Sequence, residues 1–191
     1  LFIQALNGGV VDLSSVTTIT ETTVGDTNHR SIDVTARGTG STILLNQLVS
    51  YTDPNAYDFG NGMYSTLSAT NGGAVQAPLL TNLQGVNLEL DGTGYVPFEQ
   101  ITSLINGRIA LSSLRAWPFT NLADAQNTDI VLNQGAADFP VLTTLRFGSL
   151  NLSSRASVRV PLLSDIDAAS VIVQGGGFVE FPSVTRYENT S

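Results

Sequence analysis

Apolar residues in this chain recur two apart, then three apart, and the whole alternation returns at a fixed interval. The stretch Asp138-Phe139-Pro140-Val141-Leu142-Thr143-Thr144-Leu145 shows it best. Pro140, Pro161 and Pro182 stand 21 residues apart. Each follows an apolar residue (Phe139, Val160, Phe181) and precedes a spaced apolar pair: Leu142/Leu145, Leu163/Ile166 and Val184/Tyr187. A period in the range of about 20 to 50 residues marks stacked repeats, each of which buries its apolar face only against its neighbours.

Aligned on the first apolar residue of each spaced pair, the repeats have anchors at Val16, Leu45, Leu80, Ile101, Leu142, Leu163 and Val184, with a degenerate one near Phe119 and Leu122. Upstream of each anchor lie two segments with period-two alternation, the pattern of a strand with one buried face. The first contains Ile3/Ala5, Ile32/Val34, Leu67/Ala69, Leu88/Leu90, Ile109/Leu111, Ile130/Leu132, Leu150/Leu152 and Val171/Val173. The second contains Val11/Leu13, Val75/Ala77, Val96/Phe98, Ala137/Phe139, Val158/Val160 and Val179/Phe181. Between them stand corners such as Asn71-Gly72-Gly73 and Gly175-Gly176-Gly177, residues that accept positive φ where a chain turns within two or three steps. The third segment, with apolar residues three apart, predicts either a bent strand or a tight 3₁₀-like turn.

This pattern predicts an all-β fold, a right-handed parallel β-solenoid (β-helix) with about eight coils of ~21 residues and three sides per coil. Residues 1–191 read as one solenoid domain, with irregular coils over 1–64 and regular coils over 65–191. At a rung spacing of about 4.8 Å the rod is of order 40 Å long. The period breaks twice, with 29 residues from Val16 to Leu45 and 35 from Leu45 to Leu80, so insertions are expected near 21–30 and 50–64. Insertions in solenoids become loops, and loops carry binding.

Composition narrows the function. All eight basic residues are Arg, sixteen are Asp or Glu, and the net charge is −8. Such a surface repels phosphate backbones and anionic headgroups, which argues against nucleic acid and anionic membrane surfaces as partners. No run of eighteen apolar residues exists, so membrane insertion through a helix is not expected. Cysteine is absent, which removes disulfides and thiolate metal sites and fits a chain made for the exterior of a bacterium. The first residues, Leu1 to Leu6, lack a starting Met and a basic leader, and the chain reads as a processed or excised piece of something longer.

Candidate chemistry concentrates in the second insertion, where Tyr51, Asp53, Asn55, Tyr57, Asp58 and Phe59 gather. Oxygen ligands in a loop could hold Ca²⁺, and the aromatic rings could stack on sugars. The spacing matches no EF-hand, and the same residue types build ordinary turn-rich loops. Trp117 is expected in the core, in the place that Phe139 and Phe181 occupy in their coils. Asp138, Arg159 and Glu180 predict an alternating charge ladder, and Asp165 beside Arg186 a second. The lone histidine, His29, falls in an irregular stretch. No Gly-x-Ser-x-Gly elbow, phosphate loop or dinucleotide fingerprint is present, so no catalytic residue, cofactor or metal is expected.

The phrase Phe-Pro-x-Leu/Val-Thr-x-Leu followed by a strand such as Ser149-Leu150-Asn151-Leu152 resembles the repeats of large secreted bacterial surface proteins with parallel β-helices. It is also similar to leucine-rich-repeat relatives of the receptor L-domain type. The resemblance covers most of residues 65–188, and no catalytic motif travels with it. No asparagine recurs after Leu-x-Leu, which favours a closed coil over a curved horseshoe. The leading expectation is an extracellular or cell-surface structural or adhesive module, a rod or filament segment; the repeat runs from near Leu1 almost to Ser191, leaving little room for caps, so association with copies or neighbouring modules through the ends is expected. The alternative is a carbohydrate-binding or polysaccharide-processing β-helix that uses loop 51–61 on a glycan.

Overall fold

Strands separated by corners of a few residues point away from each other and cannot pair within one coil; they pair with their copies one coil on. The computed structural model describes residues 1–27, 29–56 and 63–189. Among these, every regular element is a β-strand and every pairing is parallel, the arrangement of a parallel β-solenoid. Side one is a single sheet of eight strands, stacked in chain order. They are Phe2–Leu6, Asp33–Arg37, Ser65–Thr70, Val86–Leu90, Arg108–Leu111, Asp129–Leu132, Ser149–Leu152 and Ser170–Val173. One strand per coil gives the eight coils that the periodicity predicts.

Side two is divided. Val10–Asp12, Thr42–Leu44 and Ala74–Gln76 form one sheet, extended by a bridge from Ala74 to Tyr95. Ala116–Pro118, Ala136–Asp138, Ser157–Arg159 and Phe178–Glu180 form the other. Side three pairs Thr18–Thr20, Ser50–Thr52, Asn82–Gln84 and Ser103–Ile105, then thins to single bridges through Asp124, Thr144 and Asp165. Its start is a tight turn, in which the Leu80 N–H donates to the Ala77 carbonyl at 3.1 Å and the Leu48 N–H to that of Leu45 at 3.0 Å. Turn and short strand both occur there, in succession.

The interior is a set of columns. Leu67, Leu88, Ile109, Ile130 and Leu150 face one another along side one, all buried. On side two, Asp138, Arg159 and Glu180 lie in register, so Phe139, Val160 and Phe181 form one inward file, as the repeat requires. That file continues upward as an aromatic stack, with ring centroids 4.9 Å apart for Phe119 and Phe139 and 4.7 Å for Phe98 and Phe119. Trp117 is buried two residues earlier, at the preceding inward position opposite Ala137, so Phe119 takes the place expected for Trp117.

The second coil departs from expectation. Ile3 pairs with Val34 and Ala5 with Ala36, two residues beyond the predicted Ile32/Val34. The turn residue equivalent to Leu80 is Leu48 and not Leu45, because Ile43, Val75 and the residues after them stay in register. Both long intervals then become 32 residues, from Val16 to Leu48 and from Leu48 to Leu80.

The corner from side three back to side one is built from left-handed residues stacked in one column. Gly85, Asn106, Asn127, Phe147 and Ala168 have φ of 66°, 53°, 52°, 61° and 56°. The two asparagines also join side chains, Asn127 Nδ2 donating to Asn106 Oδ1 at 3.1 Å, a two-rung ladder that stands at this corner and not after Leu-x-Leu. Just past this column the chain passes so close to the coil before it that a Cβ on Gly107 would lie 2.3 Å from the Val86 carbonyl oxygen. Ala168 pays the left-handed penalty that glycine escapes. Ala168→Gly should therefore raise stability by up to about 1 kcal/mol, while Gly107→Ala should lower it by about 2 kcal/mol or more. Urea-unfolding midpoints of the two variants test this, and a neutral Gly107→Ala would contradict the close approach of these coils.

Candidate functional site

The two insertions leave the solenoid at one corner, the same that holds the left-handed column. Residues 21–32 separate Thr20 from Asp33, and residues 53–64 separate Thr52 from Ser65, twelve residues each. In the next coil Gly85 alone spans the same gap. The predicted boundaries shift slightly, because Ser50–Thr52 is a strand of side three and not part of the loop.

Each insertion is closed at its neck by an acid in the column position of Gly85. In the first, Glu21 Oε1 accepts hydrogen bonds from Arg30 Nη2 at 2.5 Å and from the Thr22 N–H at 3.0 Å. Arg30 also donates through Nη1 to the Val24 and Asp26 carbonyls, holding the loop as a closed ring. In the second, Asp53 Oδ2 accepts from Ser65 Oγ at 2.7 Å and Oδ1 from the Asn55 N–H at 3.1 Å. Ser65 Oγ in turn accepts the Ile32 N–H at 3.0 Å, so the neck of one loop fastens the exit of the other. Asn55 Nδ2 reaches the Thr22 carbonyl at 2.9 Å, a second tie between the two.

These bonds decide what the predicted loop residues do. Tyr51 is fully buried in the inward column of side three between Ile19 and Leu83, and its hydroxyl donates to the Ile32 carbonyl. A ring enclosed in the core cannot stack on a sugar, which corrects the expectation for Tyr51. Burial also pushes its phenol further above its ordinary range, so the hydroxyl stays a neutral donor. Asp53 is 1% exposed and both its oxygens are engaged by the chain, so its place in a calcium loop is corrected too. Asn55 is partly buried at the junction of the loops. Tyr57, Asp58 and Phe59 lie outside the described residues.

Glu21, Arg30 and Ser65 were missed because their roles need the register. Once residue 21 and residue 53 are known to share a column with Gly85, an acid at that position followed by a long insertion is the signal. Elsewhere, the Asp138–Arg159 ladder forms at 3.0 Å, but with both groups well exposed it contributes at most about 1 kcal/mol. Arg186 pairs with Asp167 at 3.1 Å and Glu188 at 3.4 Å instead of Asp165, whose carboxylate accepts the Asp167 N–H. His29 is exposed in the first insertion with φ 55°. Among the described residues no three His, Cys, Asp or Glu side chains gather as metal ligands.

Burial raises the Asp53 carboxyl above its usual pKa, against the lowering pull of the Ser65 and Asn55 hydrogen bonds, and the Glu21 carboxylate adds to the rise. The folded state then holds this proton more tightly than the unfolded one. The stability that follows is complete below the ordinary carboxylate range and is lost as pH rises through the raised value. Asp53→Asn removes that loss, so its stability relative to the parent should improve as pH rises above the ordinary carboxylate range, whereas Asp53→Ala, which strands Ser65 and Asn55, should cost about 1–3 kcal/mol. Urea titrations from acid to neutral pH check both, and a parent-to-Asn difference independent of pH would contradict an Asp53 whose carboxyl is raised by burial.

No protein-family model matches the chain, and no curated protein and no solved structure matches it either.

Proposed function

We propose that this chain is a structural and adhesive segment of an extracellular or cell-surface rod, without catalysis, that joins neighbouring modules through the ends of its solenoid. The observation that carries this reading is the open core of the last coil. Val171 and Val173 stand in register with Leu150 and Leu152, which are 1% exposed, yet they are 40% and 41% exposed themselves. Phe181 and Val184 continue the same open face, and Ile3, Val11, Leu13 and Val16 are only partly buried at the opposite end. An inward column that stops at a solvent-exposed valine, beside an unpaired strand edge, favours burial under another coil. That coil can be a continuation of the same polypeptide, a neighbouring module or a second copy.

The composition supports an exterior setting: neutral polar side chains, no lysine, no cysteine and few charges. The alternative, a glycan site on loop 51–61, no longer has Tyr51 or Asp53 at its disposal, so the rod reading is preferred.

Self-association through the ends should make the sedimentation coefficient rise with concentration. Val171→Glu with Val173→Lys, placed on the open end and away from covered core, should abolish that rise while the β circular-dichroism signal is kept. A parent chain that stays monomeric at millimolar concentration would sink the self-association, leaving only a covalently continuous neighbour.

A further inference from the structure

Side two carries a groove on its outer face, in coils five to eight, enclosing about 600 Å³. Its floor is the outward row Ala116, Ala136 and Ser157, small side chains in parallel register. Pro118, Pro161 and Pro182 rise along it, and the ring of Phe178, 58% exposed, stands at its far end. The groove crosses the strands and runs along the solenoid axis, three rung steps of about 4.8 Å, or roughly 14 Å in all. A smaller hollow on the same face in coils two to four, lined by Gln76, Pro78, Pro97 and the exposed ring of Tyr95, continues the line.

Three features define what fits. The groove exposes the face of a sheet whose N–H and C=O groups pair between coils, so a peptide laid along it would find no strand edge and leave its own amides unpaired. Its charges are Asp138, Arg159 and Glu180, two carboxylates against one guanidinium that already faces Asp138 at 3.0 Å, a balance that disfavours a polyanion. The floor is apolar and flat with an exposed aromatic ring, while the carboxylates of Asp138 and Glu180 offer acceptors. That combination suits a chain with apolar ring faces and a rim of hydroxyls. Trp117 lies in the strand under this floor, with its indole buried on the inner side of the sheet opposite Ala137.

We propose that the groove binds a neutral, extended oligosaccharide along the solenoid axis. Sugar rings lie over Ala136 and Ser157 and against Phe178, and hydroxyls donate to Asp138 and Glu180. The groove lies within one copy, so the proposal does not rest on end-to-end assembly.

Trp117 is the sole tryptophan and serves as the reporter. Its emission is titrated with cellohexaose, laminarihexaose, maltohexaose and mannohexaose, with hexagalacturonate as the anionic counterpart and a proline-rich decapeptide as the peptide counterpart. At least one neutral hexasaccharide should give a saturable change that salt does not alter, and the two counterparts none. Phe178→Ala should weaken binding about tenfold. Ala136→Arg, on the exposed floor, should abolish it, with the β circular-dichroism signal of both variants unchanged. Four silent neutral sugars, an Ala136→Arg protein that binds as the parent does, or a tighter response to either counterpart would each overturn the proposal. Sedimentation of the same samples reads assembly separately, so failure of one idea does not carry the other with it.

Discussion

Hydrogen bonds between coils govern everything else in this molecule. The clearest run lies at the corner after side three, where the N–H groups of Glu21, Asp53, Gly85, Asn106, Asn127, Phe147 and Ala168 donate to the carbonyls of Thr52, Gln84, Ile105, Gln126, Arg146, Asp167 and Glu188. Each of these bonds joins one coil to the next, so no coil satisfies its backbone alone. Residues that share a column therefore share an environment, whatever their separation along the chain. A left-handed backbone persists at that corner with phenylalanine and alanine in place of glycine because the stack above and below fixes the conformation.

The same constraint explains where the chain can lengthen. Strands on all three sides resume in register after each insertion, with Ile19 opposite Tyr51 and Val34 opposite Leu67, so extra residues can leave only at a corner. At that corner the column position changes its task with the length of the loop. Glu21 and Asp53 clamp long loops, whereas Gly85 turns the chain at once and must lack a Cβ, which would lie 2.0 Å from the Asp53 carbonyl oxygen. The polar neck and the tight turn beneath it are one packing unit.

The period, the three sides, the inward alternation and the existence of both insertions were legible in the sequence because each is written in apolar spacing. What was not legible depended on register. Ile32, Val34 and Ala36 are all apolar and two apart, which allows two pairings with Ile3 and Ala5, and only the length of the following Gly38–Ser41 corner selects one. Leu44, Leu45 and Leu48 offer the same ambiguity on the next side. Tyr51 looked like a loop residue because it precedes a run of turn formers, yet its eight-residue distance from Ile43 matches that of Leu83 from Val75 and places it inside. Asp165 was matched to Arg186 by interval alone, but a long guanidinium reaches diagonally, and Asp165 is already engaged by its own backbone.

Register also separates two kinds of surface. In the second insertion the contacts among described residues, those of Asp53, Asn55 and Ser65, are at the neck. Side chains on the face of side two are spaced by the pairing of Ala136 with Ser157 and of Ser157 with Phe178, at intervals that no local change can alter. A ligand that meets the face therefore meets groups already fixed in position and loses less in ordering them than one that must organise a loop. That favours recognition on the regular face of the solenoid, where the sequence shows only residues twenty or twenty-one apart, over recognition at the irregular loop to which the eye is drawn first.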